Sequence, residues 1–147
     1  MTDNALPRPA VLLPGSGEQL PFVGTLRASA AETGGAFELI EFTGPAVPPP
    51  HVHREHEEVF VVQTGTFRFL LGDDVADVPA GSIVVVQRGV RHSFTMEPGS
   101  TALLLTIPSG LGPYFAALGA GLAAGRSGRE VRNALAGTYD FYPDEPA

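Results

Sequence analysis

Hydrophobic residues between positions 20 and 108 occur in short runs that glycine and proline separate. These runs are rich in Val, Ile, Phe and Thr, the residues that favour strands. Turn residues such as Gly65, Pro79-Ala80-Gly81 and Pro98-Gly99 lie between them. The pattern predicts eight short strands, at 21–28, 36–43, 58–63, 66–71, 75–78, 82–87, 92–97 and 101–107. Short strands at this spacing predict an all-β sandwich or small barrel.

The hydrophobic period changes after Pro108. Apolar residues at offsets of three and four predict a first helix, marked by Leu111, Tyr114, Phe115, Leu118 and Leu122. A capping box, a shared apolar face and a terminating glycine predict a second helix, at Ser127, Glu130, Val131, Ala134, Leu135 and Gly137. We therefore divide the chain into an extended N-terminal segment (1–19), a barrel (20–108) and a C-terminal helical extension (109–147), whose tail from Tyr139 onward is expected at the surface.

Composition narrows the class of protein. The 147 residues, 44% hydrophobic and 17% charged, predict one soluble domain. A net charge of -7 argues against anionic partners, which bind to clusters of Lys and Arg. We therefore expect neither nucleic acid nor a membrane surface as a partner. The chain has no cysteine, which excludes disulfides, iron–sulfur clusters and a cysteine nucleophile. The first 14 residues lack the pattern of a signal peptide, and we expect a cytoplasmic location.

All four histidines lie between positions 51 and 92. His51 and His53 are two residues apart, so on a strand both imidazoles face the same side. Glu58 and His92 each open a predicted strand. Imidazoles with one carboxylate suit first-row transition ions. The spacing therefore predicts a metal site formed by His51, His53, Glu58 and His92.

Apolar residues follow two of these ligands on the same strand faces. They predict a dry substrate pocket walled by Phe60, Val62, Phe94 and Met96. Glu57 alternates to the other face and is expected in solvent. His56 is expected near the pocket mouth, with its part in the site left open.

At these residues the sequence resembles the cupin superfamily. His51-x-His53, four residues, Glu58, six residues and Gly65 match its first motif, although Gly44 stands one residue too early. The second motif is matched by the segment from Gly81 to His92, with Gln87 in place of proline and Met96 in place of asparagine. The segments Thr33–Glu41 and Ile107–Leu111 further resemble single-domain cupins of the quercetin 2,3-dioxygenase-like group.

The resemblance implies a cupin-type double-stranded β-helix (jelly-roll) barrel with one or two C-terminal α-helices. It implies one divalent transition metal ion per chain (Fe, Ni, Mn, Cu or Zn), held by His51, His53, Glu58 and His92. It also implies a metal-dependent dioxygenase that uses O₂ on an enolisable, flavonol-like aromatic, with Glu58 as ligand and general base, and a homodimer. Two alternatives stay open: a redox-neutral cyclase or isomerase of a polyketide-like or sugar-like substrate, and a non-catalytic small-molecule-binding cupin.

Overall fold

Two antiparallel β-sheets face each other in the computed structural model, which describes residues 9–143. The strands are β1 (Glu18–Leu20), β2 (Gly24–Ala28), β3 (Glu38–Phe42), β4 (His51–Val52), β5 (Glu57–Thr64), β6 (Thr66–Leu71), β7 (Asp74–Pro79), β8 (Ile83–Val86), β9 (His92–Met96), β10 (Thr101–Ile107) and β11 (Tyr142–Pro143). One sheet has the order β1-β2-β3-β10-β5-β8 and the other β11-β4-β9-β6-β7. The helices are α1 (Ala30–Thr33), α2 (Gly112–Ala123) and α3 (Gly128–Leu135).

All eight predicted strands and both predicted helices are present, so the predicted fold class is confirmed. The sequence pattern missed four short elements: β1, β4, β11 and α1. Each spans two to four residues, too few for a hydrophobic period to register. The predicted extended N-terminal segment ends at β1, which pairs with β2. Residues 1–8 of this segment lie outside the described residues.

Strict alternation on the central strands builds the core between the sheets. Along β5 and β10 every second residue is buried, which places Glu58, Phe60 and Thr106 inside the barrel. Aromatic rings from both sheets meet there, with Phe60 5.0 Å from Phe69 and 5.4 Å from Phe94 between ring centroids. The aromatic cluster fills the barrel interior and leaves space only at the end where the histidines lie.

The two C-terminal helices cover that end of the barrel. Tyr114 and Leu118 of α2 are buried, as the helical period predicted. The Ser127 side chain accepts a hydrogen bond from the Glu130 amide and caps α3. On α3, however, Ala134 is exposed and Arg132 is buried next to Val131, so the predicted apolar face is only partly correct.

A buried carboxylate from the barrel positions the start of α2. The N-terminal cap, Leu111, offers no side-chain hydrogen bond, but the Glu38 side chain accepts one from the Gly110 amide. The other Glu38 oxygen lies so close to Gly112 that a Cβ there would collide with it. A negative charge at this place complements the positive end of the helix dipole. This contact fixes α2, and with it Tyr114, against the barrel.

The C-terminal tail departs from the prediction. Phe141 is 1% exposed, and β11 adds Tyr142 and Pro143 to the edge of β4. The predicted surface location of the tail is therefore wrong for residues 139–143, because this segment completes a sheet and fills the core; residues 144–147 lie outside the described residues. Within residues 9–143, none of the helices is both long and apolar enough to cross a bilayer.

Candidate metal centre

Four side chains from three strands and a loop converge at the open end of the barrel. They are His51, His53, Glu58 and His92, each at most 3% exposed, and their ligand atoms lie within 4.8 Å of one another. His51 on β4 is the cross-strand partner of His92 on β9, and Glu58 approaches from β5 of the opposite sheet. The fold thus brings together the four residues that the spacing predicted.

The nitrogen atoms of the three imidazoles divide into two sets. Each Nδ1 lies within hydrogen-bond distance of a main-chain carbonyl: Pro49 for His51 (2.7 Å), Asp140 for His53 (2.6 Å) and Val90 for His92 (2.8 Å). A carbonyl oxygen can only accept, so each Nδ1 carries its proton and donates it. Each neutral imidazole then has its lone pair on Nε2, which points into the centre.

These lone pairs face one another and a carboxylate. The Nε2 atoms of His53 and His92 lie 2.9 Å and 2.8 Å from Glu58 Oε1, and those of His51 and His53 are 3.2 Å apart. Acceptors at such distances repel unless a proton or a metal ion lies among them. A divalent transition ion satisfies all of them at once, so this set of donor atoms fits one metal ion.

Burial and mutual charge shift the titration of the centre. Burial, reinforced by the neighbouring His92 and His53, lowers the pKa of His51 to about 3. Burial also opposes the charged forms of His53 and Glu58, but their mutual attraction outweighs it. The Glu58 carboxylate therefore raises the pKa of His53, and the two imidazoles hold the pKa of Glu58 well below its ordinary value. The carboxylate is ionised and His51 is neutral at neutral pH, as metal binding requires.

The metal-free protein should gain stability with rising pH between 4.5 and 6.5. In this window the unfolded chain protonates His51 and the folded chain does not, because the folded pKa is about 3 against an ordinary 6.5. Glu58 titrates around pH 4.5 in the unfolded chain and lower in the folded chain, so it steepens the rise near pH 4.5 and adds little above about pH 5.5. The contribution of His53 is fully present below pH 6.5. We expect a slope of about 1.4 kcal/mol per pH unit from His51.

Urea unfolding of the chelator-treated protein across this window measures the slope. The His51→Gln variant should lack it, because glutamine does not titrate. Equal slopes in the two proteins would contradict the predicted state of His51.

A small cavity adjoins the centre. His51, His53 and Glu58 line it together with aromatic and aliphatic side chains, and it leaves about 30 Å³ for the centres of water molecules, or roughly two or three waters. Phe60 and Phe94 line the cavity, where the strand parity predicted them. Val62 and Met96 are not among its lining residues: Val62 is buried in the core, and Met96 packs against Gly44. The substrate pocket itself stays a prediction.

Two polar side chains from the C-terminal helices complete the cavity wall. Tyr114 on α2 is 2% exposed and Arg132 on α3 is 9% exposed. Burial raises the pKa of the Tyr114 hydroxyl, and the nearby Arg132 guanidinium only partly offsets this effect. The hydroxyl therefore keeps its proton at neutral pH and can donate it. The sequence pattern read Tyr114 as an apolar helix position and did not single out Arg132.

The C-terminal segment closes over the histidines. The Asp140 carbonyl accepts from His53 Nδ1, while its carboxylate accepts from the amides of Arg54 and Glu55, each at 2.7 Å, and from His56 Nδ1 at 2.8 Å. These hydrogen bonds hold the pKa of Asp140 below its ordinary value, although its burial opposes the shift. Asp140 thus orients a predicted ligand, and nothing in its local sequence marked it.

Phe141, His56 and Glu57 lie around the group of four. The Phe141 ring stacks on Tyr114 with centroids 4.6 Å apart and lies 4.7 Å from His51. His56 lies outside the group of four, bound to Asp140 and 3.3 Å from the Ser109 carbonyl. The Glu57 side chain is 41% exposed and lies 3.8 Å from Arg88, as its parity predicted.

Comparisons with known proteins place this fold in a class. Residues 39–108, just under half of the chain, match the cupin domain family. This segment contains all four residues of the candidate metal centre. The segment that is similar to the cupin domain family therefore carries a buried group of three histidines and a glutamate that can bind one metal ion.

Solved structures agree on the fold. A protein from Planctomyces limnophilus is 19% identical over 72% of this chain and 92% of its own, with a TM-score of 0.54. KdgF from Halomonas sp. is 22% identical over 58% of this chain and 79% of its own, with a TM-score of 0.50. Streptomyces PAC13, solved with uridine, is 13% identical over 57% of this chain and 66% of its own, also with a TM-score of 0.50. A search of curated proteins finds no match. The cupin resemblance is confirmed, whereas the narrower quercetin 2,3-dioxygenase-like group is not.

Proposed function

We propose that this protein is a metal-dependent dioxygenase that acts on an enolisable aromatic small molecule. The observation that carries the proposal is the set of three Nε2 atoms and one carboxylate that face each other at the wall of an apolar cavity. When bound there, a redox-active ion would supply Lewis-acid activation of an enolate and electron transfer to dioxygen. The aromatic walls suit a planar substrate and exclude water from the reaction.

Glu58 is the proposed general base. Its carboxylate is ionised at neutral pH and lines the cavity, so it can accept the proton of a substrate hydroxyl that binds there. The cavity holds roughly two or three waters, which favours single-ring hydroxy-ketones over a full flavonol. Both kinds of compound belong in a substrate panel.

Oxygen uptake tests the proposal. The protein is loaded in turn with Fe²⁺, Ni²⁺, Mn²⁺ or Cu²⁺ and incubated with hydroxy-ketones and flavonols in an oxygen electrode. We expect consumption of one O₂ per substrate with at least one ion, and none with the Zn²⁺-loaded control. No uptake with any ion on any enolisable aromatic would refute the dioxygenase proposal.

The Tyr114 hydroxyl favours a second candidate function. A phenol in the cavity wall can donate a hydrogen bond to a substrate carbonyl, which suits a redox-neutral cyclase or isomerase of a polyketide-like or sugar-like molecule. Product formation without oxygen by the Zn²⁺-loaded protein, lost in Tyr114→Phe, would select this candidate over the dioxygenase.

We also propose a homodimer and a cytoplasmic location. The dimer proposal rests on the outer face of the six-stranded sheet, where Ile83 and Val85 on edge strand β8 are 66% and 51% exposed beside the half-buried Val59 and Val61. A two-fold interface pairs one such patch with itself. Light scattering should give the mass of two chains, and of one chain for Ile83→Lys. A wild-type mass of one chain would refute the dimer.

A further inference from the structure

Arg132 is a buried cation in the wall of the cavity, and part of its guanidinium lacks a hydrogen-bond partner. Its side chain is 9% exposed, and Nη2 donates to the Val47 carbonyl at 2.9 Å. Nε is buried without a hydrogen-bond partner. Among residues 9–143, no carboxylate forms an ion pair with this guanidinium.

A desolvated guanidinium without an anion is unfavourable, since buried charges are normally paired. Its planar fork of donors matches the two oxygens of a carboxylate, and charge-assisted pairs of this kind are stronger than neutral hydrogen bonds. The buried Tyr114 hydroxyl interacts with the same guanidinium and can donate a further hydrogen bond. Together the two side chains offer donors to an anion, and the carboxylate that acts on Tyr114, Glu58, belongs to the histidine–glutamate centre.

The position of Arg132 also suits a ligand that enters from outside. Arg132 and Pro48 line both the inner cavity and an outer groove, which Val47 and Asn133 also line. The guanidinium therefore stands where the cavity meets the surface. A ligand anion held there leaves the rest of the molecule within the cavity that His51, His53 and Glu58 line.

We propose that Arg132 and Tyr114 bind a carboxylate of the substrate, while a hydroxy-ketone of the same molecule faces the histidine–glutamate centre. The inference rests on the proposed function and narrows it: the enolisable aromatic is an anion that carries its carboxylate on the side of the ring away from the metal-binding oxygens. A neutral flavonol lacks this group.

Comenic acid and its primary amide test the proposal. Both are hydroxypyranones with the same vicinal hydroxy-ketone, and they differ in whether the remote substituent is a carboxylate or a neutral amide of the same shape. Calorimetric titration into zinc-loaded and metal-free protein measures binding without turnover. We expect the acid to bind about 10- to 100-fold more tightly than the amide in both forms, as charged hydrogen bonds contribute that much.

Variants assign the preference to residues. Arg132→Met should abolish the preference for the acid and leave the affinity of the amide unchanged, and Tyr114→Phe should reduce the preference about tenfold. Arg126→Met is the matched control, because this exposed arginine precedes α3 and is not among the cavity-lining residues. It should keep the wild-type preference.

Several outcomes overturn the proposal. Equal affinities of acid and amide for the wild-type protein would do so, even if Arg132→Met does not fold. A preference for the acid found only in the zinc-loaded form would show that the carboxylate binds the metal instead. A preference for the acid that survives in Arg132→Met would show that Arg132 does not bind the carboxylate and only donates its hydrogen bond to Val47. Absence of oxygen uptake alongside a preserved acid preference would refute the dioxygenase while leaving the anion subsite intact.

Discussion

Glu58→Gln should lower metal affinity by more than about 100-fold, the upper limit for loss of a residue that only orients a ligand. Glutamine keeps the volume of the side chain but removes the negative charge that the three imidazoles face. Its amide group can donate to one of the Nε2 atoms, 2.8–2.9 Å from the present oxygen, so the metal-free protein should remain folded. Elemental analysis after dialysis and competition with a chromogenic chelator measure the effect.

Glu57→Gln is the matched control for this substitution. It changes net charge equally, on the same strand and one residue away, but its side chain is 41% exposed and faces outward toward Arg88. We expect its metal affinity to stay within about twofold of wild type, since an exposed ion pair contributes little. If the two variants lose metal equally, or neither does, the assignment of Glu58 as a ligand is wrong.

Asp140→Ala should weaken both the metal centre and the fold. The substitution removes the acceptor of the Arg54 and Glu55 amides and of His56 Nδ1, and so frees the segment whose main-chain carbonyl orients His53. We expect metal affinity to fall about 10- to 100-fold. The free energy of unfolding should fall by about 3 kcal/mol, because the hydrogen bonds from two main-chain amides and from His56 to a charged carboxylate are lost.

Chelator competition and urea unfolding of the metal-free protein measure the two effects separately. Asp73→Ala, in an exposed turn far along the chain, is the control for loss of an aspartate and should change neither quantity. Wild-type metal affinity in Asp140→Ala would mean that the Asp140 side chain is not needed to hold the main-chain carbonyl that orients His53.

The barrel and its ligand set could be predicted because both depend on short-range patterns. Strand alternation places Glu58 inside and Glu57 outside, whatever the rest of the fold does. His51 and Glu58 flank the short loop between β4 and β5, and His92 opens a strand in register with His51. Local periodicity therefore carries nearly all the information needed to place the centre.

Strand parity alone does not determine which residues line the cavity. Val62 and Met96 share a face with Glu58 and His92 but are not among the lining residues, whereas Phe60 and Phe94 are. Parity determines which side of a strand a residue faces, whereas the extent of a cavity depends on how side chains from both sheets fill the interior.

The sequence by itself determined the jelly-roll barrel, the inward-facing His51, His53, Glu58 and His92, and the two helices that follow. Only the tertiary structure decided that Asp140 orients His53, that Phe141 stacks over the centre, and that Arg132 and Tyr114 stand in the cavity wall. His53 and Asp140 are 87 residues apart, and Arg132 is 85 residues from Val47. Contacts between residues so far apart produce no periodic pattern in the sequence, because they depend on how α2, α3 and the residues that follow them pack against the barrel.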